Sequence, residues 1–117
     1  MATDQNCLFC KIAAGETAAQ VVHTDDDTVA FRDINPQAPT HILVIPRRHI
    51  ASLKDATPAD EGVLGRLLLT AARVARDMGL AEGGYRTVIN TGAGAGQSVF
   101  HIHAHVIGGR RLSWPPG

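Results

Sequence analysis

The sequence has no surplus of charge: eleven lysines and arginines face eleven aspartates and glutamates, for a formal net charge of zero at pH 7. Without a long-range field of either sign, neither nucleic acid nor an anionic membrane is expected as a partner, although a local cradle for a small anion stays open. Only two cysteines are present, three positions apart, which rules out a disulfide framework. No apolar run approaches the length of a membrane span. The stretch Met1 to Asn6 has neither the basic start nor the apolar segment of a leader, so the expected location is the cytoplasm. Internal repeats and low-complexity linkers are missing too. What remains is 117 residues, 44% of them hydrophobic, which suits one domain over residues 1–117 with a single core.

The densest chemistry lies in Phe100-His101-Ile102-His103-Ala104-His105-Val106-Ile107-Gly108, where three of the six histidines take alternate positions. On a strand, successive side chains point to opposite faces, so the three imidazoles would share one side while Phe100, Ile102, Ala104 and Val106 bury the other. A helix would scatter them. Neutral imidazole is a nucleophile, a general base and a metal ligand near neutral pH. The strand alone does not choose between a metal site and histidine chemistry on a substrate.

Cys7-Leu8-Phe9-Cys10-Lys11-Ile12 puts two thiols one turn apart on a short helix that Gly15 ends. Such a pair suits half of a zinc site, a redox couple or two small core residues. Val21–Thr24 and Thr28–Arg32 read as strands joined by the acidic turn Asp25-Asp26-Asp27, with His23 an ordinary surface histidine. Two prolines make 33–39 a loop, and Thr40–Pro46 follows as a strong central strand. His41, Leu43 and Ile45 lie on one of its faces, Ile42 and Val44 on the other. Arg47 and Arg48 then read as a solvated strand end.

Thr57-Pro58 opens the one long helix, with Asp60 three residues after the cap. Leu64, Leu67, Leu68, Ala71, Val74, Ala75 and Met78 form its core stripe, and Gly79 stops it. A second stripe, Gly62, Gly65, Leu69 and Ala72, suits a helix–helix or subunit contact, or a weakly formed surface. Arg86–Thr91 is a further strand, linked to the histidine strand by Gly92-Ala93-Gly94-Ala95-Gly96-Gln97-Ser98. No lysine follows these glycines, so this is not a P-loop; directly before three histidines it reads as a phosphate cradle. The expected fold is α+β: a five-stranded antiparallel sheet with one long helix and a short N-terminal helix.

His101-Ile102-His103-Ala104-His105-Val106-Ile107 resembles the motif of the histidine triad (HIT) family. Phe31-Arg32-Asp33-Ile34, Gln37 to Pro46, Gly96-Gln97-Ser98-Val99 and Trp114-Pro115-Pro116-Gly117 resemble its Hint branch in particular, so the likeness runs from Cys7 to the last residue. The resemblance implies a homodimeric hydrolase of purine nucleoside phosphoramidates and related adenylates. His103 would be the nucleophile that becomes nucleotidylated, His41 and His105 would orient and polarise the site, and Ser98 would act beside them. Leu8, Phe9, Ile12, Phe31 and Ile34 match the nucleoside pocket, and Asp33 matches the acid on the ribose hydroxyls. Asn90, Gly96, Gln97 and Ser98 would hold the phosphate.

Relatives with the cysteine pair hold a structural zinc, one per chain, and the matching ligands are Cys7, Cys10, His49 and His101; catalysis would need no cofactor. Ala104 is small where a bulkier apolar residue is common, implying looser packing behind the triad. In the tail, residues 110–117, the resemblance implies that Trp114 crosses the dimer to border the partner's site. Two rival readings stand beside this one: a zinc-dependent hydrolase with the histidine strand as its metal site, and a purine-nucleotide-binding adaptor whose hydrolysis is incidental.

Overall fold

A computed structural model describes residues 3–117; the first two residues of the polar amino-terminal stretch lie outside it. The elements run α1 (Leu8–Ala13), β1 (Val21–Thr24), β2 (Thr28–Arg32), β3 (Thr40–Pro46), α2 (Glu61–Asp77), β4 (Tyr85–Val88) and β5 (Ala104–Gly108). The strands form one antiparallel sheet in the order β1-β2-β3-β5-β4, with β3 central as its apolar density predicts. Among the described residues no helix is long and apolar enough to cross a membrane.

Alternation along the strands divides the core. Ala30, Ile42, Val44, Ala104 and Val106 point to one face and meet Leu67, Ala71, Val74 and Ala75 of α2. Val29, Phe31, Leu43 and Ile45 point to the other and meet Phe9, Cys10 and Ile12 of α1. Because Ala104 and Val106 go under α2, His105 between them is turned to the α1 side, where His103, just before the strand, faces Phe9. Ala104 itself is fully buried among the α2 contacts.

Several sequence expectations are corrected. The histidine stretch is a strand only from Ala104 onward, and Phe100 is 49% exposed instead of buried. The cause is Pro46: the β3–β5 register ends at Val44↔Ala104, and proline has no N–H with which to extend it. Ile102 N–H donates to the Ile50 carbonyl instead, at 2.7 Å. Likewise β4 stops at Val88, three residues short of Thr91. The long helix begins with a tight turn, Pro58–Asp60, fixed by the Thr57/Asp60 capping box. On α2, Leu68 is exposed and Thr70 is buried in its place, meeting the Thr28 hydroxyl at 3.0 Å. Residues 67, 70/71, 74 and 75 follow the 3.6-residue repeat, and position 68 turns away from it.

The polar expectations around β1 also change. His23 is no surface residue: its ring is mostly covered and lies 2.9 Å from Asp25. Arg47 is no solvated strand end either, since its Nε donates to the Asp25 carbonyl and its Nη1 to the Ala13 carbonyl, each at 2.8 Å. It thereby pins the last turn of α1 to the β1–β2 turn. Arg48 pairs with the buried Asp60 at 3.2 Å, without hydrogen-bond alignment.

Candidate functional site

A cleft of about 920 Å³ opens on the α1 side of the sheet. One wall is α1, through Leu8, Phe9 and Ile12; the other is the end of β2, Phe31 to Ile34, with Leu43 beneath. Ser98, His103 and His105 close its polar end. The helix is tied down at its C-terminus by Arg47 and capped at its N-terminus by Cys7, whose sulfur accepts the Cys10 N–H. The Phe9 ring stands edge-on to His103 at 5.1 Å between centroids, and to Phe31 at 5.4 Å.

Bonds to groups of fixed polarity assign the histidine tautomers. A carbonyl can only accept, so His103 Nδ1, 2.8 Å from the His101 carbonyl, carries the proton. Its Nε2 is left with an unprotonated lone pair. Conversely the Gln37 N–H can only donate, so His41 Nδ1 accepts at 3.0 Å and His41 Nε2 is the N–H. That Nε2–H lies 2.9 Å from His105 Nδ1 and 3.3 Å from Asp33 Oδ2. His105 Nδ1 is therefore the acceptor and its Nε2 carries a hydrogen. This nitrogen is shielded from water and has no partner among the described residues, while the ring lines the cleft. A buried donor without a partner is costly unless a ligand supplies one.

Electrostatics favour the neutral form of His103 and of His105. Burial lowers the pKa of His103 below the usual imidazole value, against the opposing effects of the His101 carbonyl and Asp33. His105 is pushed down to about 4, by burial first and then by the neighbouring His103 and His41, with Asp33 opposing. Asp33, His41 and His105 lie close enough to suggest a metal site. A metal on His41 Nε2 would move that proton to Nδ1, where it would confront the Gln37 N–H. The trio is thus built as a hydrogen-bond relay, with His41 Nε2 committed as a donor.

A second cluster sits behind Phe9. His101 Nε2 donates to the Pro46 carbonyl at 2.8 Å, turning its Nδ1 lone pair toward Cys7 Sγ at 3.3 Å, Cys10 Sγ at 3.5 Å and His49 Nδ1 at 3.2 Å. Cys10 Sγ and His49 Nδ1 are 3.4 Å apart. Zinc with bonds of about 2.05 Å to nitrogen and 2.3 Å to sulfur needs tetrahedral edges of roughly 3.3 Å for N···N and 3.6 Å for N···S. The four separations above lie within about 0.3 Å of those edges and all four donor atoms are within 4.8 Å of one another, so these residues fit the ion. Burial pushes the Cys10 thiol up, with Cys7 adding to the rise, so a thiolate here calls for a compensating cation. The Pro46 carbonyl behind His101 is the kind of outer partner that orients a ligating imidazole.

Of the residues singled out from sequence, Leu8, Phe9, Ile12, Phe31, Asp33, Ile34, Ser98, His103 and His105 line the cleft. His41 stands behind His105, and Cys7, Cys10, His49 and His101 form the second cluster. Asn90 lies against Gly96, beside the glycine loop, where its Nδ2 would be 3.7 Å from a Cβ added at that glycine. The Gln97 side chain turns inward instead of lining the cleft, and Trp114 is 83% exposed in the tail. Sequence reasoning missed Leu43, Val99, Arg32 and residues 17–20 of the lining. Alternation from His41 would have found Leu43; nothing in residues 17–20 signals their position.

Comparison with known proteins agrees with this architecture. The HIT domain family model matches residues 14–112. The chain is 53% identical over 113 residues to an uncharacterized HIT-like protein of Synechococcus elongatus, covering 97% of this chain and 98% of that one. It is 50% identical over 117 residues to the adenylylsulfatase HINT1 of Arabidopsis thaliana, covering 98% of this chain and 79% of that protein. The crystal structure of a HIT family hydrolase from Legionella pneumophila superposes with a TM-score of 0.94 at 54% identity, over 96% of this chain and 100% of that one.

Proposed function

The chain belongs to the HIT family, and from that premise we propose that it is a nucleotide hydrolase cleaving the P–N bond of purine nucleoside phosphoramidates, and related adenylates, through a nucleotidyl-histidine. The observation that carries this reading is the His103 tautomer, with Nδ1–H held by the His101 carbonyl and a free Nε2 lone pair in a ring that lines the cleft. A relative named an adenylylsulfatase and a similar structure named a hydrolase support hydrolysis over binding alone.

In this reading the nucleoside lies between α1 and the end of β2, with Asp33 toward the ribose. Asn90, Ser98 and the N–H groups of the glycine loop hold phosphate oxygens and stabilise the charge that grows there. The His103 Nε2 lone pair attacks the α-phosphorus as the P–N bond breaks. The Nε2–H of His105, oriented by the His41 Nε2–H, donates a hydrogen bond to the leaving nitrogen, which takes its proton from solvent as the amine departs. Water then attacks phosphorus; its hydroxyl stays there, its proton returns to solvent, and the P–Nε2 bond breaks. Nucleoside monophosphate and amine are the products, and His103 regains its lone pair. Capture on histidine divides one hard displacement into two easier ones.

A structural zinc at Cys7, Cys10, His49 and His101 belongs to the same proposal. It would clamp α1, the cleft wall, to the sheet and take no part in the reaction. Pairing of two chains is supported by the uncovered apolar and small residues on the outer face of α2: Gly62, Gly65, Leu69 and Ala72, with Leu68 beside them. In such a dimer the exposed Trp114 would reach the partner's site. The test is release of AMP and amine from an adenosine 5′-phosphoramidate by purified protein. Steady turnover is expected; AMP binding with no turnover on any phosphoramidate would leave only a binding role.

A further inference from the structure

Gln97 looks like a phosphate ligand from its place in the glycine loop, but its side chain is 3% exposed and spent on the protein itself. Its Oε1 accepts the Gly92 N–H at 2.9 Å. Its Nε2 donates to the Ala51 carbonyl at 2.7 Å and the Val99 carbonyl at 3.1 Å. The Gln97 N–H also donates to the Gly92 carbonyl at 3.1 Å, so residues 92 and 97 are joined twice and the loop between them is closed. Gly92 and Gly96, with φ of 86° and 95°, make the turns that this closure needs and that only glycine makes without strain. Ser98, at the cleft, is the next residue after the closure.

The bond to Ala51 adds a second constraint. Ala51 lies two residues beyond His49, and the neighbouring Ile50 carbonyl accepts the Ile102 N–H. The segments 49–51 and 97–102 are thus stitched together at Gln97 and again at Ile102. Each of these segments carries one imidazole of the four-donor cluster. A neutral amide with both hydrogens engaged has a fixed orientation, and what it fixes here is the loop backbone relative to His103.

We propose that Gln97 is a positioning residue that builds the phosphate cradle and hangs it on the segment carrying His49, so that binding of the 5′-phosphate, and not of the nucleoside, depends on it. This rests on the nucleotide reading of the cleft. The probes are adenosine and AMP, titrated calorimetrically into the wild-type protein and into Gln97→Glu. The variant keeps the acceptor for Gly92 but sets a carboxylate oxygen against the Ala51 and Val99 carbonyls.

AMP affinity should fall about tenfold or more, while adenosine affinity stays within about twofold, because one lost buried polar tie is worth roughly that factor. Should Gln97→Glu not fold, Gln97→Met, similar in length and uncharged, must give the same AMP-selective loss. Equal losses for both ligands, or no loss for either, would overturn the assignment. So would rapid hydrogen exchange of the Gly92 amide in the wild-type protein, where the Oε1 bond calls for protection. Wild-type protein that binds adenosine and AMP equally would overturn the nucleotide reading together with this inference. A wild-type preference for AMP that survives in the variant overturns this inference alone.

Discussion

Replacing Asp25 by asparagine tests how a single turn supports the cleft wall. The carboxylate accepts four hydrogen bonds: the Asp27 and Thr28 N–H groups at 2.8 and 2.7 Å, the Thr28 hydroxyl at 2.8 Å and His23 Nε2 at 2.9 Å. Burial alone would raise its pKa, but these donors outweigh burial and hold it well below the usual carboxylate range. Asparagine keeps the shape, removes the charge, and turns an NH₂ toward two of the four donors. Charged acceptors gain roughly 1 kcal/mol more per bond than neutral ones, and the side chain is about a third exposed. After that discount the loss should be about 2–3 kcal/mol, or roughly 8–12 °C in Tm.

The pH sign follows from the lowered folded-state value. The carboxylate's contribution is complete above about pH 5 and is lost as pH falls through the unfolded value near 3.9 and below. Urea melts of both proteins at pH 7, 5, 4 and 3 should therefore show a wild-type advantage that narrows toward acid. An advantage at pH 7 that is under 0.5 kcal/mol, or one that does not shrink by pH 3, would refute the reasoning. Function gives a second check. Arg47 links the Asp25 carbonyl to the end of α1, so AMP affinity should weaken along with stability.

Elemental analysis of untagged protein should find zinc near one equivalent per chain, and Cys10→Ala should lose it and melt lower; metal-free protein with an unchanged Tm would count against the site. Because His105 is pushed down to about 4 and burial also lowers His103, both stay neutral further into acid than an ordinary imidazole. The kcat/KM of phosphoramidate hydrolysis should thus hold level through the ordinary imidazole value of about 6.5 and fall only at lower pH, and half-loss near that value would contradict the assigned environments. Deleting Ser113 to Gly117 should leave the dimer intact by sedimentation yet change relative kcat/KM between small and aromatic amines, and an unaltered profile would show that Trp114 has no part in recognition.

The parts legible in the sequence were those governed by periodicity and by motif. Alternation along 40–46 assigned both faces of β3, and the Thr57-Pro58 start with Gly79 beyond it bracketed α2 to within one turn. The alternate histidines did share a side, though only half of their stretch is strand. What escaped was whatever depends on a partner set by turn geometry or by the docking of another element. His23 and Arg47 looked like surface residues because their partners, Asp25 and the Ala13 carbonyl, are fixed only after the turn and α1 have docked. Leu68 looked like core because apolar character alone does not give the phase of a helix. Nor could any local pattern tell that Gln97 faces inward or that the Gln37 N–H selects the His41 tautomer, since both bonds are set by loop geometry.

The most direct test of the proposed chemistry is mass analysis of the wild-type protein quenched in acid-free denaturant during turnover of an adenosine 5′-phosphoramidate. A nucleotidyl adduct is expected on the peptide carrying His103, absent in His103→Ala, which should lose nearly all turnover and still bind AMP. Near-normal turnover by His103→Ala, or an adduct residing on His105 or His41, would contradict nucleophilic attack by His103.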